Sequence, residues 1–278
     1  MDEVPTRPTM SPDLRPESPP TAVAAGLLMK YFKDAVWWPV SNWPDAVTWR
    51  TESATGQVVY VKLASMTRYP RLLDEGARTR WARPFLPVAD VLECGSQEGT
   101  DWLATRALPG VDATDEALMA QPEKLVDLLA GGLRRFHQAP VAECPFPFTL
   151  EVALEHVRWR AAAGHIDPAR DFHPEHRHLS LEAALGELER LRPADEDLVV
   201  CHGDYCLPNI VITDGQVTGF VDLGELGVAD RWWDLAVATW SLTWNLGEGF
   251  EDEFLRTYGI GRDEERIRFY RLLYDLVS

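Results

Sequence analysis

Short β-branched and aromatic runs, cut by turn residues, mark the chain from about residue 46 to residue 110. Val47-Thr48-Trp49-Arg50-Thr51 and Val58-Val59-Tyr60-Val61-Lys62-Leu63 flank Ser53-Ala54-Thr55-Gly56, a spacing that predicts a hairpin. A helix is expected over residues 71–82. Val88-Ala89-Asp90-Val91-Leu92 and Trp102-Leu103-Ala104-Thr105-Arg106 read as two further strands, separated by Gly95-Ser96-Gln97-Glu98-Gly99. Leu108-Pro109-Gly110 then breaks the chain, and beyond it the period becomes helical. Pro122 suits a first helical position, and Leu125, Leu128, Leu129, Leu133 and Phe136 share one face. Residues 151–163 predict another helix. The series Leu181, Leu185, Leu188 and Leu191, stopped before Pro193, predicts one more. A small sheet-rich part therefore precedes a larger helical one. The expectation is an α+β chain of two lobes, residues 22–106 and 107–278, hinged where a ligand could be clasped.

Composition narrows the picture. At 278 residues the chain is long enough for two lobes, and 46% hydrophobic content suits a globular enzyme. No apolar run reaches the ~18 residues of a membrane span. Residues 1–21 are acidic and proline-rich, without the apolar core of a signal peptide, and read as a disordered tail. The four cysteines, Cys94, Cys144, Cys201 and Cys206, show no disulfide framework, so the cytoplasm is expected. Cys201, His202 and Cys206 lack the spacing of a zinc site. Forty-four acidic residues against 27 basic ones leave a net charge of −17, which argues against a nucleic-acid partner. The same field favours a cationic small molecule, although acidity also serves plain solubility.

The chemistry concentrates between residues 198 and 234. The apolar strand Leu198-Val199-Val200 leads into Cys201-His202-Gly203-Asp204-Tyr205-Cys206-Leu207-Pro208-Asn209. Ile210-Val211-Ile212, a turn at Thr213-Asp214-Gly215-Gln216, and Val217-Thr218-Gly219-Phe220-Val221-Asp222 follow as a tight hairpin. Asp and Asn are common turn residues, and either alone reads that way. An Asp five residues before an Asn, with another Asp at the end of a following strand, is the set that phosphoryl transfer employs. One carboxylate orients a hydroxyl, and oxygen ligands hold magnesium.

His202-Gly203-Asp204-x-x-x-Pro208-Asn209, Gly219-Phe220-Val221-Asp222-Leu223-Gly224 and Gly227-Val228-Ala229-Asp230-Arg231-x-x-Asp234-Leu235-Ala236 resemble the aminoglycoside 3'-phosphotransferases. The likeness extends from about Ala35 to Phe269-Tyr270-Arg271-Leu272-Leu273, and is strongest after residue 195. It implies a protein-kinase-like fold, with a five-stranded antiparallel N-lobe and a helical C-lobe. It also implies ATP and Mg2+ as cofactors and antibiotic resistance as the outcome. Asp204 would be the catalytic base, and Asn209 and Asp222 the magnesium ligands. Lys62 would meet phosphate, Glu75 would pair with it, and Arg106-Ala107-Leu108 would form the hinge at the adenine. On the acceptor side Asp171, Glu175 and Asp275 are the candidates. Trp240 and Trp244, four apart on one helix face, are either core residues or a stacking platform. A monomer or weak dimer, without membrane attachment, is expected.

Three departures stand out. The nucleotide loop Ser41-Asn42-Trp43-Pro44-Asp45-Ala46 has no glycine, and Pro44 lacks an amide donor. Glu225 follows Asp222-Leu223-Gly224 where the family commonly has arginine. Thr239-Trp240-Ser241-Leu242-Thr243-Trp244 carries tryptophans where the family tends to carry Arg and Glu. These leave two other readings open: a kinase of another hydroxylated metabolite, and a non-catalytic nucleotide-binding module.

Overall fold

A computed structural model describes residues 35–43 and 46–277, so the expected tail over residues 1–21, and Pro44 and Asp45 of the nucleotide loop, lie outside the described residues. The chain forms two compact units. The first ends at Pro109 and takes back Gly219–Gly224; the second comprises Gly110–Thr218 and the chain from Glu225 onward.

The first unit is built on a five-stranded antiparallel sheet. Its strands are β1 (Val36–Trp43), β2 (Ala46–Glu52), β3 (Val58–Ser65), β4 (Val91–Gln97) and β5 (Thr100–Arg106), in the order β1-β2-β3-β5-β4. Alternation along β3 puts Val59, Val61 and Leu63 into a core with Trp37, Trp49 and Ala104. The β2–β3 turn closes through Gly56 N–H donating to Ser53 O at 2.9 Å, with Gly56 in the left-handed region. Helix α1 (Leu72–Ala82) carries Asp74 and Glu75 in its first turn, where carboxylates suit the helix dipole.

The strand expected at residues 88–92 is displaced: β4 starts at Val91, and Val88 makes only an isolated parallel bridge to Phe220. Gly95, Ser96 and Gln97, expected as a turn, lie inside β4 opposite Trp102, Asp101 and Thr100. The reason is packing, because a Cβ on Gly95 would strike the Trp102 ring. The actual turn is Glu98-Gly99, both with positive φ, as a two-residue hairpin requires.

The second unit is mainly helical. It holds α2 (Glu116–Met119), α3 (Pro122–Phe136), α4 (Leu150–Ala162), α5 (Pro168–Asp171), α6 (Leu181–Leu191), α7 (Trp232–Leu246), α8 (Glu251–Tyr258) and α9 (Glu264–Val277). Five short strands accompany them: β6 (Val111–Asp112), β7 (Leu198–Cys201), β8 (Ile210–Thr213), β9 (Gln216–Phe220) and β10 (Gly227–Asp230). β7 pairs with β10, and β6, β8 and β9 form a small sheet. On α3, Leu125, Leu129, Leu133 and Phe136 are buried, matching the predicted face. Helix α7 is buried on every side from Trp232 to Leu242, the mark of a central helix. Among the described residues no helix is long and apolar enough to cross a membrane.

A buried charge pins the first unit together. Asp101 on β5 has a fully buried side chain and accepts from Arg71 Nε at 3.0 Å, Arg71 Nη2 at 2.9 Å and the Ser96 hydroxyl. Burial alone would raise this carboxyl, but the hydrogen bonds from Arg71 and Ser96 outweigh it and hold it below the usual range. Losing one partner of a fully buried pair costs ~3–5 kcal/mol. Arg71 is 36% exposed, so solvent softens the loss, and we expect Arg71→Ala to cost about 2 kcal/mol near neutral pH. A carboxyl lowered in the folded state contributes stability above its unfolded pKa of about 3.9 and loses it as pH falls through the folded value. Urea titrations should therefore show the gap between parent and variant closing below about pH 4.

Candidate active site

In the first unit, three charged side chains meet around one ammonium group. β3 is central in the sheet, and Lys62 stands opposite Thr48 and Leu103 on the face away from the Val61 and Leu63 core. Lys62 Nζ donates to Glu75 Oε1 at 2.6 Å and makes an ion pair with Asp222 Oδ1. Asp222 reaches it because the returning segment is docked on this unit. Phe220 N–H donates to Pro87 O at 2.9 Å, Arg78 donates to Gly224 O at 2.6 Å, and a Cβ on Gly224 would strike Pro70. Asp222 has a φ of 61°, an unusual value for a residue with a side chain, at the place where the strand turns out.

The second unit builds its half from the loop after β7. Asp234, fully buried on the first turn of α7, accepts His202 N–H at 2.7 Å and Gly203 N–H at 2.8 Å. His137 Nε2 also meets this carboxylate at 3.0 Å, and the Tyr258 hydroxyl meets the ring's Nδ1 at 2.8 Å. Trp233 Nε1 donates to Gly203 O at 2.7 Å, and the Ser241 hydroxyl accepts Leu207 N–H at 2.9 Å. Gly203 has a φ of 92°, and a Cβ there would strike Glu225. Only glycine fits both demands.

Held in this way, Asp204 gathers four side-chain partners. Asn209, in the 3-10 turn Leu207–Asn209, donates from Nδ2 to Asp204 Oδ2 at 2.8 Å and to its carbonyl at 2.9 Å. The other carboxylate oxygen accepts the Cys206 thiol at 3.0 Å and the Tyr274 hydroxyl at 3.1 Å. Asp204 N–H donates to His202 Nδ1 at 3.2 Å. Burial, and then the adjacent Asp204 carboxylate, hold the Tyr274 phenol well above its ordinary range, so it stays a proton donor.

The remaining expected residues are distributed differently. Arg106 and Leu108 line a groove of about 550 Å³ with Arg80, Arg83 and Asp90. The Arg106 and Ala107 amides already donate to Asp90 O and Val58 O. Asp171 is bound by Arg170 at 2.7 Å and accepts Asp167 N–H at 2.7 Å. Glu175 accepts Trp240 Nε1 at 2.7 Å, with Arg271 at 3.5 Å. Asp275 is fully buried beneath His173 and His176. Trp240 is 3% exposed and is a core residue, whereas Trp244 is half-buried.

Sequence reasoning overlooked Tyr274, His173 and His176, and treated Cys206 as packing. Tyr274 directly precedes the acidic candidate Asp275. His137, Cys201 and Asp234 bring three ligand-type atoms within 4.8 Å of one another. Burial, and then Asp234 and Asp230, push the Cys201 thiol up, while Asp234 is engaged with loop amides, so the group supports the loop.

Relatives share this arrangement of elements. A family model described as the phosphotransferase enzyme family matches residues 40–270. An aminoglycoside 3'-phosphotransferase of Streptomyces fradiae is 37% identical over 227 residues, covering 77% of this chain and 84% of that protein. The crystal structure of an aminoglycoside-3'-phosphotransferase of type VIII superposes with a TM-score of 0.82 at 34% identity, covering 91% of this chain and 97% of that one. An aminoglycoside phosphotransferase of Streptomyces rimosus, in complex with ADP and streptomycin, gives a TM-score of 0.76 at 30% identity over 91% of this chain and 97% of its own. With the match spanning both units, this chain belongs to the phosphotransferase enzyme family.

Proposed function

We propose that this chain transfers the γ-phosphate of ATP to a hydroxyl of an aminoglycoside-like antibiotic, an activity of the resistance type. The observation that carries this reading is the state of Asp204: its Oδ1 accepts a hydrogen bond from a hydroxyl, that of Tyr274, at 3.1 Å. A carboxylate fixed on one oxygen by Asn209 and directed at a hydroxyl with the other is equipped to orient an acceptor alcohol and take its proton. The acceptor oxygen then bonds to the γ-phosphorus, the bond to the β-phosphate oxygen breaks, ADP leaves, and the proton rests on Asp204. ATP as donor is supported by the ADP complex of the Streptomyces rimosus relative.

In this reading Lys62 grips phosphate oxygens, and Glu75 keeps it in position. Asn209 and Asp222 each carry a side-chain oxygen of the kind that magnesium takes. Bound magnesium would neutralise charge developing on the phosphates. Loss of a positioned general base costs ~10²–10⁴ in rate, so Asp204→Asn should lower kcat by about a thousandfold while KM for ATP moves little. Retained turnover in that variant would remove Asp204 from the mechanism. Lys62→Ala should instead lower kcat/KM for ATP by roughly 30-fold, the ~2 kcal/mol of one charge-assisted hydrogen bond, and chelation of magnesium should stop turnover in both proteins.

A further inference from the structure

Of the carboxylates that sequence reasoning assigned to the acceptor, Asp171 is held by Arg170 at 2.7 Å, Asp275 is buried, and Glu175 is hydrogen-bonded within the protein while its side chain remains 43% exposed. Both oxygens of Asp275 are taken: His173 Nδ1 meets Oδ1 at 2.5 Å, and His176 Nδ1 and His173 N–H meet Oδ2 at 2.7 and 3.1 Å. Glu175 is engaged by Trp240 and Arg271. Glu251, which the sequence did not single out, accepts Arg271 at 3.0 Å, Thr243 at 2.7 Å and Arg262 at 2.9 Å. An acceptor rich in ammonium groups needs unpaired carboxylates, because ammonium is a strongly hydrated point charge.

What borders Asp204 is aromatic. Tyr274, which touches the base, lies 6.2 Å ring to ring from His173, and His173 stacks on Trp244 at 4.5 Å with an interplanar angle of 15°. Trp240 lies beneath, 4.2 Å from His173, with the Arg271 guanidinium 5.4 Å from its ring centre. Tyr274, His173 and Trp244 are each half-buried, so part of this aromatic cluster remains exposed to solvent. Planar, weakly hydrated guanidinium groups and the apolar faces of sugar rings stack on such surfaces.

We infer that the acceptor docks by stacking on the Trp244–His173 wall, and that its cations are guanidinium groups and not clustered ammonium groups. This inference rests on the phosphotransferase reading above and narrows its substrate class. Trp244 is then a specificity-determining residue that acts on acceptor binding and leaves the chemical step alone.

The test compares kcat/KM for guanidinium-bearing streptomycin with that for ammonium-only neomycin and kanamycin. Calorimetric binding of each drug is measured beside it, in the presence of a non-hydrolysable ATP analogue and magnesium. Streptomycin should lead by about tenfold or more, the order of one stacked cation. Trp244→Ala should raise KM for streptomycin about tenfold, with kcat and KM for ATP unchanged, and Trp244→Phe should restore most of the binding. A lead for neomycin or kanamycin, or an unchanged streptomycin KM in Trp244→Ala, overturns the inference and leaves the phosphotransferase reading standing. If all three drugs are inert and unbound while the ATP analogue binds, the antibiotic reading falls and this inference with it.

Discussion

The loop after β7 in the second unit depends on one buried carboxylate. Asp234 is fully buried, and its carboxylate is met by two backbone amides of the loop it holds and by His137. A buried carboxylate that gave up those donors would carry a cost of ~3–5 kcal/mol, so loop and helix hold each other in place. The consequence is geometric. With His202 and Gly203 tied to α7, the chain passes through a left-handed glycine and delivers Asp204 toward Asn209, Cys206 and Tyr274. Lys62 provides the corresponding constraint in the first unit, since its two carboxylate partners come from α1 and from the returning segment Gly219–Gly224.

How much of this the sequence disclosed follows from the range of each interaction. The β2–β3 hairpin, α1, and the buried face of α3 were legible because periodicity and turn chemistry are local. Asp204, Asn209 and Asp222 could be proposed from the sequence because the loop and hairpin that carry them are contiguous in the chain, and the resemblance to the aminoglycoside 3'-phosphotransferases reinforced that choice. The end of β4 was misplaced because Gly95 looked like punctuation, whereas the strand runs on through it, opposite the Trp102 ring that only a glycine clears. The acceptor side was the least legible. His173 and His176 sit roughly a hundred residues from the Asp275 they cover, and nothing local in either segment announces the pairing.

Two adjacent residues near the end of α9 divide the work. Tyr274 donates to Asp204, and Asp275 turns to the histidines. Successive helical side chains point about 100° apart, so one residue faces the chemistry while its neighbour secures the wall. Helix α7 divides similarly. Asp234 and Ser241, seven apart and on one face, hold the loop, while Trp240 and Trp244, four apart, carry the aromatic stack.

That division lets the aromatic cluster vary without disturbing the loop after β7. A change at Trp244 alters a half-buried ring at the wall and leaves untouched the hydrogen bonds that position Asp204. Asp275 has no such freedom. Turning it outward toward an ammonium group would break three hydrogen bonds and leave two histidines without their carboxylate. A surface-exposed ion pair returns ~0–1 kcal/mol, less than the buried set it would replace. On the inference that the acceptor meets this wall, the energetics favour one that stacks on it as it stands over one that must draw the carboxylate out.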